Sequence, residues 1–340
     1  MTVQQRATLE DVARLAGVSS KTVSRVFTHR DLVAPETVER VLAAAKRLRF
    51  RPNPLARNLR RGGPTNTIGF IMGELNNPFY YKVAAGIERE LSVHGFSLVV
   101  ATTDDTPEGE ERVAEALLGQ RLGALLLIPV ADDQSYLEGE RHLGTPVIAI
   151  DRPARNLVAD SIVLENHRGV FEATTRLLER GHRRIGYVCN PASVFTQTER
   201  LRGYRDALAA FGVRESARWE RLADDLEMPA DGLVAELLDQ DDAPTALITG
   251  NNRVTIGALR ALRDRHDDTT ALVGFDDFDT ADVLGVSVIS YDPLALGRAA
   301  AEIVIDRIDD PTGFTRQLTL PTWIVERGTG ERPPAERTPS

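Results

Sequence analysis

The amino-terminal part of the chain repeats apolar positions with the spacing of short α-helices. Thr8 and Asp11 form a capping-box pattern, which predicts that a helix begins at Leu9 and carries an apolar face as far as Ala16. Gly17 follows, and glycine readily adopts the positive φ that a tight turn between two helices requires. The spacing therefore predicts a helix-turn-helix.

A second helix is predicted after this turn, with Ser19 as its cap and with Val23 and Val26 facing inward. Its polar and basic side chains point outward, as a helix that lies in a DNA major groove requires. The candidate DNA contacts of this region are Thr8, Ser19, Ser20, Lys21, Thr22, Ser24 and Arg25. A third helix, predicted from Pro35 to about Arg49, closes the core of this head. The alternative is a surface helix pair with no role in DNA binding.

Apolar runs and helical patterns alternate through the rest of the chain, which predicts an α/β fold of doubly wound parallel sheets. The first set of predicted strands is 67–72, 97–101, 124–128 and 147–150, with helical patterns at 81–94 and 109–120. The second set is 161–164, 184–189, 246–249, 271–275 and 286–289. We therefore expect two similar lobes, with a ligand bound between them at the carboxyl ends of the strands.

Polar and aromatic side chains follow several of the predicted strands. Amides and carboxylates at these places can bind hydroxyl groups, and an aromatic ring can stack on the apolar face of a sugar. The candidate ligand contacts at strand ends are Asn76, Phe79, Tyr80, Asp151, Arg152 and Asp276. The alternatives are a helix start with core aromatics for Phe79 and Tyr80, and capped helices or paired surface charges for the others.

Charge separates the first 61 residues from the remainder. Residues 1–61 contain thirteen Lys or Arg and five Asp or Glu, a net charge of +8, while the whole chain has a net charge of −9. The remaining 279 residues therefore carry −17. A basic head on an acidic body is typical of a protein that contacts DNA phosphates from one end only.

Composition and motifs exclude other classes of protein. A chain of 340 residues with 42% hydrophobic content exceeds one core and fits a small head with two lobes. The sequence has no apolar run near twenty residues and no charged-then-apolar leader, so we expect a cytoplasmic protein without a membrane partner. Phosphate-loop, nucleophile-elbow, zinc-protease and dinucleotide motifs are missing, so neither catalysis, a cofactor nor a metal is predicted. Cys189, the single cysteine, lies in an apolar run and is expected to be a buried thiol.

Residues 8–61 resemble the head of the LacI/GalR family of bacterial transcription regulators, and the resemblance continues to about Arg327. It implies a helix-turn-helix domain at 1–50, a hinge helix and linker at 51–65, and an effector-binding and dimerisation domain at 66–328. The body would have the periplasmic-binding-protein architecture, with lobe one at about 66–163 and 293–320 and lobe two at about 164–292 and 321–328. Ala34 departs from the family, which usually has Ser as the cap of the third helix, and this costs about 1 kcal/mol.

The resemblance also assigns roles to the hinge segment. In the family, paired hinge helices fold in the minor groove, and a Leu is wedged between base pairs at the position of Leu59. A helix this short is not stable alone in water. The candidate DNA contacts of this segment are Asn53, Arg57, Leu59 and Arg60. The alternative is a plain linker with a few basic residues.

Further effector contacts are implied by family positions. Arg200 matches an effector-contacting Arg of the family, and Thr196 lies one helical turn before it. Asn251 matches another residue that contacts the effector in the family. Asn252 stands where the family usually has Asp. Tyr291 occupies a crossover position where relatives often carry a polar side chain. The set modestly favours a sugar or sugar-like polyol over a purine.

The sequence thus predicts a ligand-responsive regulator, a repressor that binds a near-palindromic operator as a homodimer and is released by a small sugar-like effector. A corepressor-dependent regulator with a non-sugar effector, a solute-binding protein and an enzyme on the same two-lobed scaffold are the alternatives. Residues 329–340 are polar and rich in Pro and Gly, so a disordered tail is predicted. The tail has no apolar heptads, which favours a dimer over a tetramer.

Overall fold

The computed structural model describes residues 7–50, 65–189, 191, 193–213, 216–223 and 230–335. Its contacts divide the chain into two compact units, Met1–Thr65 and Asn66–Ser340, which we call the head and the body. The predicted hinge contacts Asn53, Arg57, Leu59 and Arg60 lie outside the described residues.

Three α-helices form the head: α1 (Leu9–Ala16), α2 (Ser20–Thr28) and α3 (Pro35–Arg47). They enclose a core of buried small and β-branched side chains, among them Val12, Val23 and Val41. The helix-turn-helix prediction is confirmed. Helix α3 ends two residues before its predicted end, and Arg49 beyond it adopts a left-handed φ of 50°.

Local hydrogen bonds fix the start and the end of α1. Thr8 Oγ1 accepts a hydrogen bond from the Asp11 amide at 3.2 Å, and Asp11 Oδ2 accepts one from the Thr8 amide at 2.9 Å, which is the predicted capping box. These bonds lower the pKa of the Asp11 carboxyl. Gly17 ends the helix with a φ of 65°, the conformation expected for the turn.

Strands and helices alternate in the body. Its strands are β1 (Thr67–Met72), β2 (Ser97–Thr102), β3 (Ala124–Leu127), β4 (Val147–Ile150), β5 (Asp160–Leu164), β6 (Ile185–Cys189), β7 (Glu220–Leu222), β8 (Ala246–Thr249), β9 (Ala271–Phe275), β10 (Ser287–Ser290), β11 (Gln317–Leu320) and β12 (Trp323–Val325). Its α-helices are α4 (Pro78–Val93), α5 (Pro107–Leu118), α6 (Glu138–His142), α7 (Asn166–Glu179), α8 (Phe195–Ala210), α9 (Ala230–Leu238), α10 (Asn252–Asp264) and α11 (Pro293–Asp309).

Within the described residues the strands form two six-stranded sheets, one in each lobe, with the orders β11-β5-β4-β3-β1-β2 and β12-β10-β9-β8-β6-β7. The matching orders confirm the two doubly wound lobes. All pairs are parallel except β12 with β10, which is antiparallel. Only two residues separate β11 in lobe one from β12 in lobe two, so no helical crossover sets the direction of β12.

Three strands were not predicted: β7, β11 and β12. Their residues are partly or fully exposed, so they lack the buried run that is found in every predicted strand except β2.

The predicted disorder of the tail is wrong for its described part. Thr329 is buried, and its hydroxyl donates to the Leu272 carbonyl at 2.8 Å. The Gly330 amide donates to Ser287 Oγ at 3.1 Å, and the Arg332 guanidinium donates to the Thr270 carbonyl at 2.8 Å. Hydrogen bonds to the second sheet hold this segment, and a composition low in apolar residues does not reveal them.

Helix α4 packs closely against α11. A Cβ atom on Gly86 would lie 2.3 Å from the Leu294 carbonyl oxygen, and one on Gly297 would lie 2.2 Å from that of Val83. Glycine is therefore required at both positions.

Cys189 is buried at the end of β6, as predicted, and burial raises the pKa of its thiol to about 12. Across the part of the chain that the structure describes, no helix is both long and apolar enough to cross a bilayer.

Candidate functional site

The structure separates the predicted DNA contacts of the head into exposed and structural side chains. Ser20, Lys21 and Arg25 are exposed on α2. Lys21 and Arg25 are four residues apart, so they share one face of the helix. Neither forms an ion pair with a described carboxylate, so this face offers two cations to an anionic partner.

The other predicted contacts serve the helix ends. Ser19 Oγ accepts a hydrogen bond from the Thr22 amide at 3.1 Å and contacts the Thr22 hydroxyl at 2.9 Å. Thr8 caps α1 in the same way, and Ser24 is half-buried. The Ser19 hydroxyl therefore fixes the start of α2.

The predicted effector contacts follow the carboxyl ends of the strands of both lobes. Phe79 lies in the first turn of α4 after β1, Asp151 and Arg152 follow β4, and Asp276 follows β9. Thr196 and Arg200 lie in α8, one turn apart and both buried, and Tyr291 follows β10. We call the space bordered by these residues the cleft.

Arg200 is the most tightly held of these groups. Its Nε donates to Asn166 Oδ1 at 2.7 Å, and its Nη1 donates to the Gly250 carbonyl at 2.6 Å. The guanidinium carbon lies 3.5 Å from the centroid of the Phe275 ring. The side chain is only 4% exposed, and these partners are neutral. A fixed cation without a bonded carboxylate is suited to hold an electronegative ligand atom.

Asp276 and Tyr291 form a second part of the cleft wall. The Tyr291 hydroxyl donates to Asp276 Oδ1 at 2.8 Å, and the Asn252 amide donates to Oδ2 at 3.3 Å. Burial, together with the nearby Asp276 carboxylate, raises the pKa of Tyr291 well above its ordinary value. The Phe79 ring meets Tyr291 edge-on with centroids 6.0 Å apart, which adds an apolar face to this wall.

Asp151 occupies the equivalent position in lobe one. Asp151 directly follows β4 and Asp276 directly follows β9, and these two strands occupy the same place in the orders of the two sheets. Both residues have a left-handed backbone, with φ values of 66° and 71°. Asp151 Oδ2 lies 3.6 Å from Arg152 Nε, and the Arg152 Nη1 donates to the Pro129 carbonyl at 3.0 Å. Burial raises the pKa of Asp151. Arg152 and Arg200 stabilise the charged carboxylate and so oppose this rise, but burial has the larger effect.

Three predicted contacts already form hydrogen bonds with other residues of the body. Asn76 is exposed and accepts from Arg253 at 3.2 Å. The Tyr80 hydroxyl donates to Asp105 at 3.2 Å, and Asn251 Oδ1 accepts from the Val254 amide at 2.9 Å as the cap of α10. The structure thus gives each of them a role in holding the walls of the cleft.

Asn252, which the sequence marked only as a departure from the family, faces the cleft instead. It is 3% exposed, and its Nδ2 donates across the lobes to Asn77 Oδ1 at 3.0 Å. Asn166 and Phe275 were also missed as partners of Arg200. Both lie at the end of a strand, the same signal that identified Asp151 and Asp276.

Five buried polar atoms in the described part of the chain lack a hydrogen-bond partner: Arg152 Nε, Thr175 Oγ1, Tyr187 Oη, Gln197 Oε1 and Asn252 Oδ1. Two of the five belong to residues that border the cleft, Arg152 and Asn252. Because unpaired buried polar atoms are rare, these two side chains mark a polar part of the cleft wall.

A helix-turn-helix with free cations, joined in one chain to a two-lobed body with a polar cleft, defines the class of ligand-binding regulatory proteins. Residues 8–53 match the model of bacterial regulatory proteins of the lacI family, and residues 65–326 match that of periplasmic binding proteins and the sugar-binding domain of the LacI family. The chain belongs to the LacI family, which confirms the resemblance noted in the sequence.

Relatives of known role match almost the full length. The ribose operon repressor of Escherichia coli (strain K12) is 31% identical, with 95% of this chain and 99% of the relative covered. The transcriptional regulator CelR of Thermobifida fusca is 34% identical, with 96% and 99% covered.

Solved structures agree with this assignment. The lac repressor dimer bound to operator and the anti-inducer ONPF is similar with a TM-score of 0.84 at 25% identity, covering 96% of this chain and 99% of that one. The CelR–cellobiose complex is similar with a TM-score of 0.70 at 31% identity, covering 95% and 100%.

Proposed function

We propose that this protein is a transcriptional repressor that binds a near-palindromic operator as a homodimer and is released by a sugar-like effector in the cleft. The observation that carries the proposal is the pairing of an uncommitted cationic face on α2 with a cleft whose fixed Arg200 has neutral partners. Repressors and a regulator–sugar complex among the relatives support it.

The head performs recognition in this proposal. Ser20, Lys21 and Arg25 contact bases or phosphates in the major groove, with α2 held in place by the Ser19 cap. The hinge, proposed at 51–65, enters the minor groove. Its contacts are Asn53, Arg57, Leu59 and Arg60.

The body, proposed at 66–328, binds the effector. Arg200 donates to ligand oxygens, and Asp151 and Asp276 accept from hydroxyls. The lobes are joined beside the cleft by Lys82 Nζ to Asp279 Oδ1 at 2.8 Å and by Asn252 to Asn77. An effector that prefers another lobe arrangement changes these contacts, and this shifts the folding equilibrium of the hinges. We therefore propose a regulatory role and not a catalytic one. We also propose that the protein acts in the cytoplasm, where the DNA lies.

Selection of duplexes from a random DNA pool by the full chain, at two salt concentrations, tests the proposal. We expect an enriched palindrome whose binding survives the higher salt. Binding without enrichment that fades with salt would contradict specific recognition by the head. A sugar that tightens operator binding would instead identify a corepressor.

A further inference from the structure

Glu110, a buried carboxylate of lobe one, holds the segment between β3 and α6. It lies in the first turn of α5 and has no exposed surface. Its Oε2 accepts hydrogen bonds from the amides of Val130 and Ala131, the second at 3.0 Å. Its Oε1 accepts from Gln134 Nε2 at 3.1 Å and from the Tyr136 hydroxyl at 2.8 Å. One side chain thus fixes four groups of this segment.

The surroundings of Glu110 suit a charged carboxylate. A carboxylate has about four lone-pair sites, and the four donors satisfy them although all four are neutral. The start of a helix also favours negative charge, which stabilises Glu110 in the first turn of α5. Burial, together with the Glu110 carboxylate, raises the pKa of the Tyr136 hydroxyl, so this hydroxyl keeps its proton. A side chain without acceptor oxygens would leave these donors buried and unpaired.

A first path runs from Glu110 to Arg152 through one peptide plane. The Val130 amide donates to Glu110, and the carbonyl of the same peptide belongs to Pro129. The N–H and C=O groups of a trans peptide lie in one plane and point in opposite directions, so Glu110 fixes the direction of the Pro129 carbonyl. This carbonyl accepts a hydrogen bond from Arg152 Nη1 at 3.0 Å. The acceptor of the guanidinium is therefore oriented by a carboxylate on the other side of the peptide.

A second path reaches the backbone near Arg152. Gln134, which has no exposed surface, donates from Nε2 to Glu110 and to the Ala131 carbonyl, the latter at 2.7 Å. Its Oε1 accepts from the Arg155 amide at 2.8 Å, and its own amide donates to the Arg155 carbonyl at 2.9 Å. Arg155 lies three residues after Arg152. The network around Glu110 therefore holds Arg152 at its side chain and close to its backbone.

The place of Arg152 in the cleft wall depends on its bond to Pro129. In the described structure the guanidinium forms one hydrogen bond, to the Pro129 carbonyl. Its Nε is buried without a hydrogen-bond partner and lies 3.6 Å from Asp151 Oδ2, beyond hydrogen-bond distance. A Pro129 carbonyl that turned away would leave the guanidinium with the attraction to Asp151 alone.

We propose that Glu110 is a positioning residue for Arg152. The buried carboxylate orients the Pro129 carbonyl and, through Gln134, the backbone that follows Arg152. Glu110 is not one of the residues that border the cleft, so it acts through Arg152 and not on a ligand. This inference rests on the proposed function, because the place of Arg152 matters to ligand binding only when an effector occupies the cleft.

Crystal structures of the full chain, in wild type and in Glu110→Met, test the inference. Methionine has a similar length but offers no acceptor oxygen, so we expect the peptide between Pro129 and Val130 to turn. The distance from Arg152 Nη1 to the Pro129 carbonyl oxygen should lengthen beyond about 4 Å, which breaks the hydrogen bond. In solution, amide hydrogen exchange at Arg155 should become at least about tenfold faster.

Two control variants separate positioning from a general loss of stability. Tyr136→Phe removes one donor but leaves the carboxylate bonded to both amides, so Arg152 should stay bonded to Pro129 while the melting temperature falls. Glu108→Met, at an exposed position in the same helical turn, should change neither quantity. If Glu110→Met does not fold, Glu110→Gln replaces it. One acceptor oxygen then remains for four donors, so at least one of the two paths should break.

The outcomes decide the role of Glu110 separately from the proposed function. An Arg152 that stays bonded to Pro129 in Glu110→Met overturns the inference, and so does one that moves equally in Tyr136→Phe. Where Glu110→Gln is the variant used, retention of both paths overturns it. Operator selection by the wild type tests the proposed function. If no palindrome is enriched, that function fails, while the position of Arg152 in the variants still decides the role of Glu110.

Discussion

The head and the cleft hold their functional side chains under opposite conditions. Lys21 and Arg25 are exposed and solvated, and only the backbone of α2 is fixed. Arg200 is buried, bonded to Asn166 and Gly250, and stacked on an aromatic ring. A solvated cation contributes to DNA affinity through counterion release, and salt weakens this contribution. A buried cation interacts with its ligand in a medium of low dielectric constant, where salt screens the interaction much less.

This difference separates the two functions experimentally. Changes in the head should alter operator binding in a salt-dependent way, and changes in the cleft should alter effector response with little dependence on salt. A cleft variant that abolished operator binding while remaining folded would break the comparison.

Arg200→Ala should have the largest effect. Truncation removes a fixed donor group and leaves Asn166 Oδ1 without the Arg200 hydrogen bond, while the Gly250 carbonyl keeps its hydrogen bond from Gln197 Nε2 at 3.3 Å. We expect effector affinity to fall by about 100-fold, on the order of 3 kcal/mol, while operator affinity is retained. Effector titration and operator binding by the same preparation measure both quantities.

Arg202→Ala is the matched control, because Arg202 lies on the same helix but is exposed and paired with Glu199. It should change neither property. Arg200→Lys keeps the charge but loses the planar fork, so we expect it to recover little of the affinity. Full effector response in Arg200→Ala would contradict the assignment of Arg200.

Lys21→Ala should have the next largest effect, on the operator alone. Loss of a base contact costs about 1–3 kcal/mol and relaxes specificity, whereas loss of a phosphate contact weakens all sequences and lowers the salt slope by about one. Binding measured over a salt series distinguishes the two. Lys46→Ala, an exposed lysine at the end of α3, is the control. Equal losses in both variants would remove the special role of α2.

The same contrast explains what the sequence could predict. The head follows from local signals, since the Thr8 cap, the Gly17 turn and the apolar spacing each act within a few residues. The strand pattern of the body also predicted that Asp151 and Asp276 follow strands, which is their position in the structure, because parallel strands bring their carboxyl ends to one edge of a sheet.

Contacts between distant segments could not be predicted in this way. The bond from Arg200 to Asn166 and the bridge from Asn252 to Asn77 join segments that only the packed fold brings together. The segment at Thr329 was mistaken for disorder for the same reason, because its hydrogen bonds go to a distant strand.

Asp151→Asn should have a smaller effect that depends on pH. Burial raises the pKa of Asp151 in the folded state. The stability linked to its protonation is therefore complete below the ordinary Asp value and is lost as pH rises through the raised folded value. At pH 7 the variant avoids the buried charge, so we expect a melting temperature a few degrees above wild type.

That advantage should shrink as pH falls toward the acidic range, and effector affinity should decrease at neutral pH because an acceptor charge is lost. Asp104→Asn is the control: Asp104 shares the left-handed backbone, with a φ of 54°, but is exposed. A pH-independent difference between Asp151→Asn and wild type would contradict the role of burial.

Ala34→Ser should give the smallest effect and concerns the head alone. Ala34 precedes α3 without a side-chain cap, whereas Thr8 and Ser19 cap α1 and α2. A serine hydroxyl can accept from an orphan amide of the first turn, so we expect a gain of about 1 kcal/mol. Amide hydrogen exchange at residues 36–38 of the full chain measures it. Ala43→Ser, at an exposed position within α3, should instead destabilise by about 0.5 kcal/mol because serine is a poorer helix former. If both substitutions destabilise equally, the missing cap does not limit the stability of α3. The position of α3, and with it that of α2, would then depend on the apolar core that the three helices share.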